Sequence, residues 1–142
     1  MKKLLPILLL ITLVACGDKD LDNAKKSLVG NWTVNRVYTQ LPGGNDQQQT
    51  GNLGTFQFTQ NQLNYSFTKD GATQNGQSAW NLRREMVNSG FVKVEKYTLD
   101  FDGRSFVCAF GDETSDAEKN ATAIRLEDKD GSGNDFQMWL TK

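Results

Sequence analysis

The chain has 142 residues and a formal net charge of −1, so it is long enough for one domain and lacks the positive charge that nucleic-acid binding requires. It contains no histidine, which excludes Ser-His-Asp and Cys-His nucleophilic catalysis, imidazole-bound zinc and a histidine general base.

The amino terminus has the pattern of a bacterial lipoprotein signal. Lys2 and Lys3 precede a run over residues 4–15 that is apolar except for Thr12, is too short to span a bilayer and has the length of a signal-peptide core. The run ends in Leu-Val-Ala and Cys16, which resembles a lipobox; the resemblance implies cleavage before Cys16 and lipidation of that residue. We therefore predict a signal peptide over residues 1–15 and a lasting membrane anchor. The alternative is a plain secretory signal followed by a chance cysteine.

Residues 16–28 are predicted to be a polar tether after the lipidated cysteine, with a short helical turn from Asp22 to Leu28. The cluster Asp18-Lys19-Asp20 is similar to the charged signal that carries some Gram-negative lipoproteins to the cell surface, and a solvated linker explains it as well. The predicted location is the cell envelope, with the outer membrane favoured on its periplasmic face or at the cell surface.

From Gly30 onward, apolar and polar residues alternate and turn residues recur at short intervals, which is typical of an all-β domain. The first four strands are predicted near residues 31–38, 54–59, 63–67 and 77–85. A long polar loop, Thr39–Asn52, separates the first two. The residues predicted to face inward are Trp32, Val34, Arg36, Tyr38, Phe56, Phe58, Leu63, Tyr65, Phe67, Trp80, Leu82 and Arg84.

The fifth predicted strand, residues 91–101, changes phase along its length. Val92 and Val94 have one parity, whereas the apolar residues from Tyr97 onward have the other. A β-bulge produces such a switch, so we predict one at Glu95-Lys96.

The last three strands are predicted at residues 104–110, 121–127 and 135–140. Their inward residues are Phe106, Cys108, Phe110, Thr122, Ile124, Leu126, Phe136, Met138 and Leu140, with Trp139 facing outward.

Eight short antiparallel strands joined mostly by tight turns predict an up-and-down barrel over residues 29–142, because closure hides both edges of the sheet. A β-sandwich is the alternative, and it would need at least one long crossover.

The first strand carries a family resemblance. Gly30 and Trp32, within the stretch Ser27–Val34, resemble the G-x-W signature that opens the first strand of lipocalins and of small bacterial lipocalin-like lipoproteins. The resemblance implies a lipocalin-like (calycin) barrel in which Trp32 closes one end and a late cationic side chain packs across it. The candidates for that cation are Arg125 and Lys142.

The same resemblance implies binding of a small hydrophobic molecule inside the barrel, beneath the loop Thr39–Asn52. The candidate ligand-binding residues are Arg36, Phe56, Phe58, Tyr65, Phe67, Trp80, Arg84, Phe106 and Phe110. The aromatic residues could instead simply fill the interior. The two arginines could bind a ligand carboxylate, or lie at strand ends and reach water.

Other chemistry has weaker support. Asp128, Asp130 and Ser132 match early positions of an EF-type calcium loop, but Trp139 stands where a glutamate is needed, and a polar turn explains the same residues. Cys108 is interpreted as a buried, inert thiol. We predict no catalytic residues, no metal and no cofactor.

Two functions fit this sequence best. The first is a lipid-anchored lipocalin-like carrier or binder of a small hydrophobic molecule. The second is a protein-binding module on the same scaffold with a filled core, such as an inhibitor, an immunity protein or an envelope assembly factor that uses loops and the outward Trp139. An enzyme is the weakest reading.

Overall fold

A computed structural model describes residues 18–41, 43–44, 46–111, 121–129 and 135–142. These residues form one helix and eight strands. The elements are α1 (Lys19–Leu28), β1 (Gly30–Thr39), β2 (Gln47–Phe58), β3 (Gln62–Lys69), β4 (Ala72–Ser89), β5 (Val92–Phe101), β6 (Arg104–Phe110), β7 (Ala123–Lys129) and β8 (Asp135–Thr141).

The eight strands form a closed antiparallel barrel in which each strand pairs with its neighbours in sequence and β8 returns to β1. The prediction of an all-β, up-and-down barrel is confirmed. β6 spans the predicted residues, and Phe136, Met138 and Leu140 of β8 are buried as expected, with Trp139 half-buried on the outer side.

Arg36 does not face the interior, although alternation predicted that it would. Val34 pairs with Leu140 of β8 but Arg36 pairs with Trp139, so β1 has one extra residue at Asn35. This bulge reverses the alternation, because it moves each later side chain to the opposite face. Val37 is therefore buried, while Arg36 is exposed and Tyr38, also predicted inward, is half-buried.

The predicted loop over residues 39–52 is mostly strand. β2 already begins at Gln47, where it pairs with Thr39, so the connection shortens to residues 40–46. Residues 47–52 are largely exposed on both faces, and their polar sequence therefore carries no alternation of apolar residues. The long loop expected over the barrel is therefore shorter, because residues 47–50 pair with the end of β1.

β4 is the longest strand, and its two halves have different partners. Residues 72–79 pair with β3, whereas residues 80–89 pair with β5. The pairing of β5 with β6 covers only Tyr97–Phe101 among the described residues. Residues 85–96 therefore extend past the barrel wall as a two-stranded ribbon, which we call the projecting hairpin.

The predicted bulge at Glu95-Lys96 is wrong. The register between β4 and β5 is continuous from Trp80↔Phe101 to Ser89↔Val92. Val92 and Val94 lie on the outer face of the sheet and are exposed. Apolar residues at alternate positions usually indicate a buried face, but in the projecting hairpin these two side chains are exposed.

The segment expected to be a tether contributes a packed helix instead. Asp18 caps α1 by accepting a hydrogen bond from the backbone N–H of Leu21 at 3.2 Å. Ala24, Ser27 and Leu28 are buried against the barrel. Residues 1–17, which include the predicted signal peptide and Cys16, lie outside the described residues.

At the other end of the chain, one inward prediction fails. Thr122 is exposed and precedes β7, which begins at Ala123, while Ile124 and Leu126 are buried as predicted.

Candidate functional site

One end of the barrel is closed by Trp32 and α1. The indole Nε1 of Trp32 donates a hydrogen bond to the backbone oxygen of Leu28 at 2.7 Å. The ammonium group of Lys142 lies 5.0 Å from the centre of the Trp32 ring and donates to the backbone oxygen of Ser27 at 2.7 Å. Lys142 therefore supplies the late cation, and the other candidate, Arg125, is exposed.

Gly30 fits this closed end for a backbone reason. Its φ is +130°, a conformation that residues with a Cβ rarely adopt. Gly30 therefore allows the bend between α1 and β1, and the Trp32 side chain can lie across the closed end of the barrel.

The predicted ligand-lining aromatic residues are in contact with one another. Phe56 lies at the centre of the group, with ring centroids 5.6 Å from Tyr65 and 5.8 Å from both Phe67 and Phe101. Phe106 stacks on Phe101 at 4.7 Å. These rings occupy the middle of the barrel, as the filled-interior alternative expected.

The other predicted aromatics lie nearer the wall of the barrel. Trp80 is half-buried, packs edge-on against Phe58 at 5.4 Å and donates its Nε1 hydrogen bond to the Thr59 backbone oxygen at 2.9 Å. Phe110 is half-buried against Tyr97 at 5.2 Å. Both rings therefore already have partners within the protein.

Tyr65 reaches the end of the barrel that is opposite α1. Its hydroxyl donates to Asp102 at 2.5 Å, and this hydrogen bond is the main reason why the pKa of Tyr65 is raised. Its ring lies across Gly76, where a Cβ would come within 2.6 Å of the Tyr65 oxygen. A cavity of about 60 Å³ borders Tyr65, Gln74 and Arg104.

The two arginines predicted to bind a ligand have protein partners. Arg84 has the predicted inward parity, but its guanidinium pairs with Asp18 at 2.8 Å, with Asp20 at 3.4 Å and, in close contact, with Glu95. The carboxylates of Glu95 and Asp18 raise the pKa of Arg84. Arg84 therefore ties α1 to the projecting hairpin. Arg36 lies on the outer surface, 5.1 Å from the centre of the Trp139 ring.

The end of the barrel opposite α1 contains a second, larger cavity of about 170 Å³, which we call the distal cavity. It lies where β1, β3 and β7 end and where β6 and β8 begin. Its lining residues are Thr39, Leu41, Lys69, Asp70, Arg104, Asp128, Asp135 and Phe136.

The distal cavity joins an apolar floor to charged walls. Phe136 is buried and stacks on Phe67 at 6.1 Å. The ammonium group of Lys69 lies over the Phe136 ring, 4.3 Å from its centre. Arg104 and Asp128 form a close ion pair on the wall. Within the described part of the chain, Lys69 forms no ion pair, so its charge can meet a bound group.

Thr39 adds a polar group to the same cavity. Its hydroxyl oxygen is buried and has no hydrogen-bonding partner among the described residues. A buried hydroxyl without a partner costs free energy, which a ligand or a solvent molecule in the cavity can recover.

Sequence reasoning missed Lys69, Arg104 and Thr39 as a group. The signal that could have found them is the order of the turns. In an up-and-down barrel, alternate turns lie at the same end, so residues flanking the turns at Asp70-Gly71 and Asp102-Gly103 must approach the end of β1.

The remaining predicted sites have separate outcomes. Cys108 is buried, and burial raises the pKa of its thiol. The turn residues 130–134 of the calcium-like segment lie outside the described residues. In the ranges that the structure describes, no three metal-binding side chains come together. No helix among them is long and apolar enough to cross a membrane.

Comparison with protein-family models, with curated proteins and with solved structures finds no match to this chain.

Proposed function

We propose that the protein is a lipid-anchored cell-envelope barrel that binds a small amphipathic molecule in the distal cavity. The observation that carries this proposal is the position of the Lys69 ammonium group over the buried Phe136 ring, at the end of the barrel opposite the one closed by Trp32. An apolar group would lie on Phe136 and Leu41, and an anionic group would meet Lys69.

The size of the cavity limits the ligand. Pockets for drug-sized molecules usually have volumes of about 300–1,000 Å³, whereas the distal cavity has about 170 Å³. The aromatic rings beneath it leave the ligand little depth. We therefore expect a short-chain or single-ring molecule, or the head of a longer one whose tail stays outside.

The charged residues around the distal cavity favour a ligand with a single negative charge. Arg104 is already paired with Asp128, so Lys69 is the cation available to a ligand. A carboxylate or similar anion would gain a charge-assisted hydrogen bond there. Asp70 and Asp135 also line the cavity and would disfavour a ligand with more than one negative charge.

Calorimetric titration of residues 17–142, which contain every described element, tests this binding. Octanoate should bind more tightly than octylamine, because Lys69 attracts the carboxylate and repels the ammonium group. Lys69→Gln should weaken octanoate binding by roughly 10- to 150-fold, since a charge-assisted hydrogen bond contributes about 1.5–3 kcal/mol. Lys96→Gln, at the other end of the barrel, is the matched control. Equal binding by the Lys69 and Lys96 variants would refute the assignment.

The lipid anchor has its own measurement. The intact mass of the protein purified from membranes should correspond to a chain that begins at Cys16 and carries acyl groups. A chain that begins elsewhere, or that has an unmodified Cys16, would remove this half of the proposal and leave the cavity unaffected.

The filled interior favours a second candidate function, which is protein binding on the same scaffold. The outer surface offers Trp139 with Arg36 stacked above it, and stacked aromatic and arginine side chains are enriched at interfaces. If no small molecule binds, chemical crosslinking in envelope membranes should find a partner whose yield falls in the Trp139→Ser chain.

A further inference from the structure

The projecting hairpin ends in exposed apolar side chains. Phe91 in the turn is fully exposed, and Met86, Val92 and Val94 are 54%, 63% and 41% exposed. Scattered apolar residues on a surface are normal, but four in one hairpin form a patch that calls for a partner.

We infer that this hairpin tip inserts into the interfacial layer of the phospholipid bilayer beside the lipid anchor, so that the protein contacts the membrane at two points. The inference extends the proposed anchoring at Cys16, on which the idea of a second contact rests. The hairpin and the amino terminus must then lie at the same end of the barrel.

The structure places the start of α1 beside the base of the hairpin. Arg84, at the base of the hairpin, holds Asp18 at 2.8 Å and Asp20 at 3.4 Å. Asp18 is two residues from Cys16, and two residues of chain reach at most about 7 Å. An anchor at Cys16 would therefore keep the base of the hairpin close to the membrane surface.

The length of the hairpin suits the interface. Gly90 lies six positions after Arg84, which corresponds to about 20 Å along a strand. With the usual strand tilt of about 35–45°, the tip extends about 15 Å along the barrel axis. Since an anchor at Cys16 could reach at most about 7 Å in the same direction, the tip would extend at least roughly 8 Å farther, which meets the depth of interfacial segments, about 5–10 Å.

The distribution of the apolar side chains favours a bilayer over a protein partner. Val87 and Val94 face each other on the outer side of the ribbon, whereas Met86 has the parity of its inner side. Phe91 lies in the turn between them. A protein surface would cover one of these sides, whereas lipid surrounds a tip on all of them.

The charge and the unpaired backbone groups of the hairpin limit how deeply its tip can enter the bilayer. Residues 86–94 contain one charged residue, Lys93, which complements anionic headgroups. Residues 92–96 of β5 have no strand pairing besides β4 in the described chain, so the ribbon has free edges. Unpaired backbone groups are costly in hydrocarbon, and the tip should therefore stay in the hydrated interface.

The test uses the full-length protein reconstituted into vesicles of three parts phosphatidylethanolamine to one part phosphatidylglycerol. Ser89→Cys is labelled with an environment-sensitive nitrobenzoxadiazole dye, because Ser89 is exposed and lies opposite Val92. Buried Cys108 should not react. Thr73→Cys, exposed at the other end of β4, is the matched control.

We expect the dye at residue 89 to emit at shorter wavelength in vesicles and to be quenched more strongly by lipids spin-labelled near the headgroup than by those labelled deep in the chain. The dye at residue 73 should show neither change. Adding Phe91→Ser and Val92→Ser should abolish both changes at residue 89, while circular dichroism should show an intact barrel, since both side chains are exposed.

The outcomes separate the two proposals. If intact mass shows lipid on Cys16 but the dye at residue 89 remains in water, the hairpin inference is overturned and the anchor stands. If Cys16 is unmodified but the dye at residue 89 of a Cys16→Ser chain still enters the vesicles, the anchor proposal and the two-point contact are overturned and the hairpin tip remains a membrane contact by itself. A spectral change that requires added envelope proteins would overturn the inference in favour of a protein partner.

Discussion

Replacing Trp32 by phenylalanine tests how the barrel is closed. The substitution removes the indole N–H that donates to the backbone oxygen of Leu28 at 2.7 Å. Both residues are buried, so the carbonyl group is left without its partner, at a cost of about 1–3 kcal/mol. The smaller ring also leaves a void, which adds roughly 1 kcal/mol.

The contact with Lys142 contributes a further, separable amount. Its ammonium group lies 5.0 Å from the centre of the Trp32 ring, and cation–π contacts stabilise proteins by about 0.5–2 kcal/mol, more weakly with phenylalanine. We therefore expect Trp32→Phe to lower the free energy of unfolding by about 2–4 kcal/mol, and the Tm by roughly 10 °C.

Urea unfolding of residues 17–142 measures this loss, with Trp139→Phe as the control on the outer face. The control should cost less than about 1 kcal/mol because Trp139 is half-buried. A double-mutant cycle with Lys142→Met should give a positive coupling of less than about 2 kcal/mol, because phenylalanine keeps part of the cation–π contact. Equal losses for Trp32→Phe and Trp139→Phe, or zero coupling with Lys142, would refute this account of the closed end.

Three other perturbations have definite expected results. Gly54→Ala should destabilise the barrel by more than about 3 kcal/mol, or prevent folding, because φ at residue 54 is +149° and a Cβ would lie 2.1 Å from the Ser66 backbone oxygen. Urea unfolding measures the loss, and a midpoint equal to that of the wild-type protein would contradict this expectation. Cys108 should react with a maleimide only in denaturant, because burial raises the pKa of its thiol, and rapid labelling of the native protein would oppose this. The hydrogen bond from Arg83 lowers the pKa of the Asp100 carboxyl group in the folded protein. The ionised carboxylate should therefore stabilise the fold above the unfolded pKa near 3.9, and this stabilisation should be lost as the pH falls through the lower folded pKa. Asp100→Asn should reduce the dependence of the urea midpoint on acid pH, and an unchanged dependence would argue against this account.

Alternation in the sequence was enough to predict the barrel because most strands bury one face. β6 and β8 show this clearly, since Phe106 and Cys108, and then Phe136, Met138 and Leu140, occupy every second position and are buried. Where both faces of a strand meet water, the signal disappears. Residues 47–52 therefore looked like a loop, and the two exposed valines of β5 looked like core residues.

The candidate site was harder to predict than the fold. The bulge at Asn35 depends on the register between β1 and β8, which are far apart in sequence, so nothing local indicates that Arg36 points outward. The sequence also identified inward aromatic residues but could not say whether their rings meet. The distal cavity depends on strand ends that come together only when the barrel closes.

The two ends of the barrel have separate roles in these proposals. Arg84, Asp18 and the projecting hairpin lie at the end that Trp32 closes, whereas Lys69 and the distal cavity lie at the other. A membrane contact at the closed end would turn the distal cavity toward the aqueous side, where a small polar-headed molecule can enter. Because the strands between the two ends share a core of contacting aromatic rings, we expect the two sites to act independently. Lys69→Gln should therefore leave the fluorescence of the dye at residue 89 unchanged, and a shift in that signal would show that the barrel couples its ends.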